Sequence, residues 1–233
     1  MMMVLRSIKT NYMRYERQKI YAVLTETIHS PDELIQRMKE INHHYAAQFT
    51  PEREEANRGK FRSLFKTLNT DLVGKDFLDL GPALGHSLEV AHSLGARCEF
   101  VEYEPYLAYY NTLKGFNGYV FDYVKENLEQ LPQRYDFILS RGSINADIFN
   151  RNGYRVRFPD WLTGVESLSR GDIVICPAFE KGVDGKYECK DFEKFLASPV
   201  AQTMINRGYQ IRVIPEFNEP RPGFPFTFRR HNE

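Results

Sequence analysis

Phe77-Leu78-Asp79-Leu80-Gly81-Pro82-Ala83-Leu84-Gly85-His86, and then Glu99-Phe100-Val101-Glu102-Tyr103-Glu104-Pro105, decide how this chain folds. Each stretch is a short apolar run that closes on an acidic residue and then on a turn. Gly81 and Gly85 let the backbone turn tightly and approach a ligand, and the helix that follows offers its free amides. Reading outward, Leu84–Leu94 has a helical pattern, Cys98–Tyr103 reads as a strand and Tyr106–Leu113 as a helix. Tyr119–Tyr123, Tyr135–Ser140 and Asp172–Cys176 are further strand patterns, with Trp161, Val165 and Leu168 marking a helix before the last of them. Strands alternating with helices predict a parallel sheet covered on both faces. The end differs. Val200, Met204 and Ile205 lie on a helix stopped by Gly208, and the strand patterns Gln210–Pro215 and Phe224–Arg229 follow with no helix between them. Two such strands pair antiparallel.

Upstream of about residue 70 every pattern is helical. Met13, Ile20, Leu24 and Ile28 share one face of a first helix. Ser30-Pro31-Asp32-Glu33 is a capping box, with proline at the first helical position, and the helix it opens carries Leu34, Met38, Ile41 and Tyr45 along one side. Thr50-Pro51 repeats the start signal ahead of Phe61, Leu64, Phe65 and Leu68. The expected organisation is an N-terminal helical cap over residues 1–70 and a Rossmann-like domain over residues 71–233. The fold class is α/β: a doubly wound, seven-stranded, mostly parallel sheet with an antiparallel C-terminal strand.

The 233 residues fit one domain with such an addition. Hydrophobic types at 42% and charged types at 27% suit a globular core and exclude a disordered chain. Lys plus Arg and Asp plus Glu both number 31, a balance that argues against a sequence-independent grip on nucleic acid. Cys98, Cys176 and Cys189 are far apart and make neither a disulfide framework nor a zinc spacing. The expectation is a cytoplasmic protein with no metal. Arg6 and Lys9 break the first apolar patch, and nothing approaches the ~18 apolar residues of a membrane span, so no membrane partner is expected.

In an open parallel sheet a ligand sits outside the carboxyl ends of the strands. Glu102, 21 positions after Gly81, stands where such folds bind ribose hydroxyls, and its carboxylate can accept from both. Asp122 closes the next strand, where it can accept from an adenine amine. Together these residues resemble the class I S-adenosylmethionine-dependent methyltransferases. Asp79-Leu80-Gly81 with Gly85 looks like that family's first motif, and Val101-Glu102-Tyr103-Glu104-Pro105 like its second. Asp122 matches the acidic residue of the third, Tyr135–Leu139 the strand of the fourth, and the closing strand pair matches as well.

The resemblance implies S-adenosyl-L-methionine as cofactor and a methyl transfer. Carried over, it gives Asp79 the glycine loop and the methionine ammonium, and Gly81 and Gly85 the cofactor's backbone. Glu102 takes the ribose, Tyr103 stacks on adenine, Asp122 takes the adenine amine, and Ser140 and Arg141 border the methionine end. Glu104 is the rival ribose ligand. The family's central glycine is replaced by Ala83, which fits with a negative φ and its methyl clear of the ligand. A dehydrogenase G-x-G-x-x-G would need glycine at 83, and a P-loop would need Gly-Lys-Ser/Thr. Candidate bases are His43, His44 and Asp147, with His86 and Asn145 near the site. The fourth strand ends in Ser140-Arg141-Gly142-Ser143, without the Pro-Pro-aromatic run of base amino-methylating enzymes. A small-molecule acceptor is therefore expected, with O-methylation favoured and a homodimer allowed. The alternatives are a nucleic-acid methyltransferase, an NAD-dependent oxidoreductase and a non-catalytic interaction module.

Overall fold

Phe77, Leu78 and Leu80 are each shielded from solvent because β1 (Asp76–Leu80) runs through the middle of a sheet with apolar layers on both faces. The computed structural model describes residues 2–124, 128–132, 134–145, 158–178, 196, 199–214 and 224–229. Beside β1 lie β2 (Arg97–Glu102) and then β3 (Asn117–Val120) on one side. On the other lie β4 (Tyr135–Asn145) and β5 (Ser169–Ala178). These five are parallel. β6 (Gln210–Ile214) and β7 (Phe224–Arg229) complete the order β3-β2-β1-β4-β5-β7-β6, with β7 antiparallel to both neighbours. Strand order reverses between β1 and β4, which makes their carboxyl ends the place for a ligand.

Seven α-helices are described: α1 (Met2–Thr27), α2 (Pro31–Glu40), α3 (Pro51–Leu68), α4 (His86–Ser93), α5 (Pro105–Leu113), α6 (Phe158–Leu168) and α7 (Pro199–Asn206). The caps form as their sequences require. Ser30 Oγ accepts from the Glu33 N–H at 3.2 Å, and Thr50 Oγ1 from the Arg53 N–H at 3.4 Å. α6 and α7 cover one face, where Trp161, Leu162, Val165 and Met204 meet Leu78, Leu80, Val101 and Ile138. α3 and α4 cover the other, where Leu64, Phe65 and Leu88 meet Phe77, Phe100, Phe137 and Val174. α3 is thus a layer of the sheet's own core. α1 and α2 lie outside α5, joined by Leu24, Leu34, Met38, Leu107 and Tyr110, and by a 2.9 Å hydrogen bond between Tyr21 and Thr112.

Several boundaries differ from the sequence reading: α2 stops at Glu40, so Tyr45 lies beyond it, and β4 and β5 are longer than the stretches Tyr135–Ser140 and Asp172–Cys176. β3 starts at Asn117 and stops before Phe121. Gly118, which resembles a strand breaker, is needed inside it: an added Cβ would stand 2.5 Å from the Phe100 ring. α4 begins at His86 because Leu84 is still in the turn and Gly85, at φ 73°, is the N-cap. α1 runs from Met2 to Thr27, so Ile28 falls just past its end. Among the described residues no helix is long and apolar enough to cross a membrane.

If α3 is part of the sheet's core, truncating its most enclosed side chain should cost as much as a central strand position. Leu64, fully buried, should lose about 3 kcal/mol of unfolding free energy as Leu64→Ala in urea titration. Val23→Ala on the half-exposed face of α1 should stay within about 0.5 kcal/mol.

Candidate functional site

The carboxyl ends of β1, β2 and β3 bring three acidic side chains together along one edge. Asp79, on β1, is 2% exposed. Its Oδ2 accepts a hydrogen bond from Ser87 Oγ at the start of α4, and its Oδ1 has no partner. Burial pushes its pKa up to about 7, against the opposing pull of Ser87 and the nearby Arg141 charge. Past β1 the Gly81 N–H donates to the Val101 carbonyl at 2.8 Å, with φ 83°, and the loop turns through Pro82 to Gly85, whose N–H returns to the Pro82 carbonyl at 3.0 Å. Gly85 has a second reason to lack a side chain. A Cβ there would fall 1.9 Å from Asn111 Oδ1.

Ala83 overturns the expectation placed on it. Its φ is 51°, in the left-handed region, where an L-residue costs roughly 1–2 kcal/mol. The loop keeps the bend of a glycine at this position even though the glycine is gone. Glu102 explains part of the hold. The carboxylate at the end of β2 accepts from the Ala83 N–H through Oε2 at 3.2 Å, and from the Tyr103 and Glu104 N–H groups through Oε1 at 2.9 and 3.1 Å. It is 3% exposed, and burial pushes its pKa up to about 8 although the three amides oppose the shift. Glu104 is off the strand and otherwise occupied. It N-caps α5 by accepting from the Leu107 N–H at 2.8 Å, with His43 Nε2 3.6 Å from its Oε2. Of the two glutamates, Glu102 is the one that touches the glycine loop.

Asp122 lies two residues past β3, buried, with Oδ1 accepting from the Val124 N–H at 3.3 Å. Ser140 is buried in the middle of β4, which runs on to Asn145 and so does not end at Ser140-Arg141 as expected, and the Arg141 guanidinium lies 4.9 Å above the Phe61 ring of α3. Tyr103 is half exposed beside Glu102. His86, first in α4, is buried, and that burial, with the Lys114 charge, pushes its pKa down to about 4. His43 sits on the β2 side. Its Nδ1 accepts from the Tyr45 N–H at 3.3 Å, and its Nε2 faces Glu104. His44 stacks on it at 4.6 Å. His43 adjoins the start of α5, 5.5 Å from the Tyr106 ring, two strands from β4. Asp147 lies outside the described residues.

Sequence reading missed Ser87, Asn111 and Lys114, the side chains that hold the loop and Asp79. Asn111 was visible as a lone amide in an otherwise apolar helix, Leu107-Ala108-Tyr109-Tyr110-Asn111. A groove of about 950 Å3 between α1 and α2 shares Tyr106 with the histidine cluster but none of the three strand-end carboxylates. Among the described residues no cluster of three or more His, Cys, Asp or Glu side chains is arranged to hold a metal.

No family model matches the chain, and no curated protein matches it in sequence. Solved structures do match it in shape. The glycopeptide N-methyltransferase MtfA superposes with a TM-score of 0.51 at 10% identity, over 77% of this chain and 97% of its own. The chain has the class I S-adenosylmethionine-dependent methyltransferase fold. An S-adenosylmethionine-dependent methyltransferase from Mesorhizobium loti gives 0.48 at 15% identity, over 72% of this chain and 96% of that one. Magnesium protoporphyrin IX methyltransferase from Synechocystis PCC 6803, with bound S-adenosylmethionine, gives 0.47 at 11%, over 74% and 78%. Asp79, Glu102 and Asp122 lie at or just past the carboxyl ends of the consecutive strands β1, β2 and β3.

Asp79, Glu102 and His86, the shifted groups of this site, contribute to the pH response of folding. A carboxyl with a raised native pKa holds its proton in the folded state over a window where the unfolded chain has lost it, so stability falls as pH rises. His86, with a lowered value, acts oppositely, but only between about 4 and 6.5. Above 6.5 the carboxyls act alone: Asp79 up to about 7 and Glu102 up to about 8. Unfolding free energy should therefore fall by about 2 kcal/mol from pH ~6.5 to ~8. Urea titrations across that range should show Glu102→Gln removing most of the slope. A flat profile in the parent protein would mean that neither group is desolvated.

Proposed function

We propose that this protein binds S-adenosyl-L-methionine at the ends of β1 to β3 and transfers its methyl group to a small-molecule acceptor, with an oxygen nucleophile favoured. The observation that carries this reading is Asp79. A carboxylate oxygen buried without a partner is costly, and a ligand ammonium would supply the missing donor. The other residues fit the same ligand. Glu102 engages three amides, which leaves acceptor capacity for a ribose hydroxyl. Asp122 would accept from the adenine amine, and half-exposed Tyr103 offers its ring to the adenine face. Ser140 and Arg141 would border the methionine end, with Arg141 held over Phe61.

Bound S-adenosylmethionine supplies a methyl on a sulfonium whose leaving thioether needs no protonation. The chain's own task is alignment and exclusion of water. The α2–α3 connection, with His43 and Tyr45, borders the strand ends at Glu104 and supports a partial cap on the ribose side. The zero net charge favours a neutral or small acceptor over nucleic acid, and the free Cys98 and Cys176 thiols suit a cytoplasmic setting. One observation favours a rival reading, a fold that no longer takes a cofactor: Glu102 is already satisfied by three backbone amides.

Calorimetric titration with S-adenosylhomocysteine separates the two. Binding is expected, with Glu102→Ala weakening it by about 2 kcal/mol. Glu104→Ala should leave affinity nearly unchanged while lowering stability by about 1 kcal/mol through the lost helix cap. No heat and no melting shift at millimolar ligand would decide for the empty fold.

A further inference from the structure

Ala83 keeps a left-handed φ of 51° in a loop that has lost its central glycine, so something outside the residue must hold it there. The bonds converge from one helix. Asn111 on α5, fully buried, donates through Nδ2 to the Ala83 carbonyl at 2.8 Å and to the Leu107 carbonyl at 2.9 Å. One turn further on, Lys114 Nζ donates to the Leu84 carbonyl at 2.9 Å. Lys114 is itself fixed by Glu89 Oε1 at 2.5 Å and by the Tyr110 ring 4.9 Å below it, and Arg58 of α3 holds Glu89 at 3.3 Å. Asn111 Oδ1 fills the space that Gly85 leaves open.

We propose that Asn111 and Lys114 are positioning residues for the cofactor loop: they clamp two successive carbonyls from α5 and so hold Ala83 in the backbone state that glycine would adopt unaided. The inference rests on the proposed cofactor reading for its functional consequence, but the clamp itself is a property of the ligand-free chain. In a trans peptide the carbonyl and the following N–H point in opposite directions. With the Ala83 carbonyl drawn to Asn111, the Leu84 N–H is turned away from α5. On the other side of Ala83, its own N–H is drawn to Glu102 Oε2. The loop is therefore set from both flanks of one residue. An alanine can replace the glycine because α5 carries an amide at 111 and an ammonium at 114. Removing the clamp should matter while Ala83 is present and much less once glycine is restored.

Four proteins test this: the parent, Ala83→Gly, Asn111→Ala and the double variant, each titrated with S-adenosylhomocysteine. Asn111→Ala is expected to weaken binding at least tenfold in the parent background and less than threefold in the Ala83→Gly background. Equal losses in both backgrounds would mean that Asn111 only fills space, and no loss in either would mean that there is no clamp. If the parent binds no ligand, the cofactor reading falls, and the clamp is decided by hydrogen exchange. The amides of residues 83–85 should exchange at least tenfold faster in Asn111→Ala than in the parent, and unchanged exchange overturns the proposal. Should Asn111→Ala not fold, Lys114→Met keeps the apolar stem, removes the donor to Leu84 and carries the same comparisons.

Discussion

Phe65 of α3 meets Phe77 of β1 and Phe137 of β4 edge-on, at 5.9 and 5.8 Å, while Phe77 and Phe137 stack on one another at 5.4 Å. These three rings join the two strands between which the sheet changes direction, and they seat the helix that covers both. Asp79 is two residues beyond Phe77, and Arg141 is four beyond Phe137, on the same face of the sheet. The relative height of those side chains follows from the ring contacts. An aromatic triad of this kind adds directional preference to burial, which aliphatic packing alone does not supply. The site's geometry therefore begins some way beneath the site.

The two edges of the sheet treat charge differently. At the amino edge Arg170 bridges Asp76 and Asp136, with Arg97 also on Asp76 at 2.7 Å, all near solvent. Exposed pairs of this kind contribute little individually and serve mainly to fix register. At the carboxyl edge Asp79 and Glu102 are buried, and burial raises their pKa values to about 7 and about 8, well above the usual carboxylate range. Native proteins place desolvated acids with perturbed pKa values at functional sites more often than elsewhere. The contrast marks one edge as structural and the other as the candidate site.

The order of strands and helices was legible because each element has a plain periodicity and its stops are marked by glycine, proline and capping side chains. Ser30 and Thr50 cap where their sequences say they should. Glu102 was legible by its distance from Gly81. Three features were not. Gly118 reads as a breaker, and only the Phe100 ring behind it makes glycine obligatory inside β3. The backbone state of Ala83 follows from partners 19 and 28 residues away, which no local propensity encodes. α3 reads like any amphipathic helix, and nothing in its pattern distinguishes a lid from a layer of the sheet.

α5 is a single body nine residues long, about 13 Å from end to end. Its first turn is capped by Glu104, which faces His43. Its last turn and C-cap, through Asn111 and Lys114, grip the glycine loop, and its outer side is where α1 and α2 rest. Short helices do not bend appreciably, so a tilt imposed at one end reappears at the other. Substitutions in α1 or α2 thus have a mechanical route to residues 83 and 84 without approaching them, and α5 works as a strut shared between the chain's first helices and the carboxyl edge of the sheet.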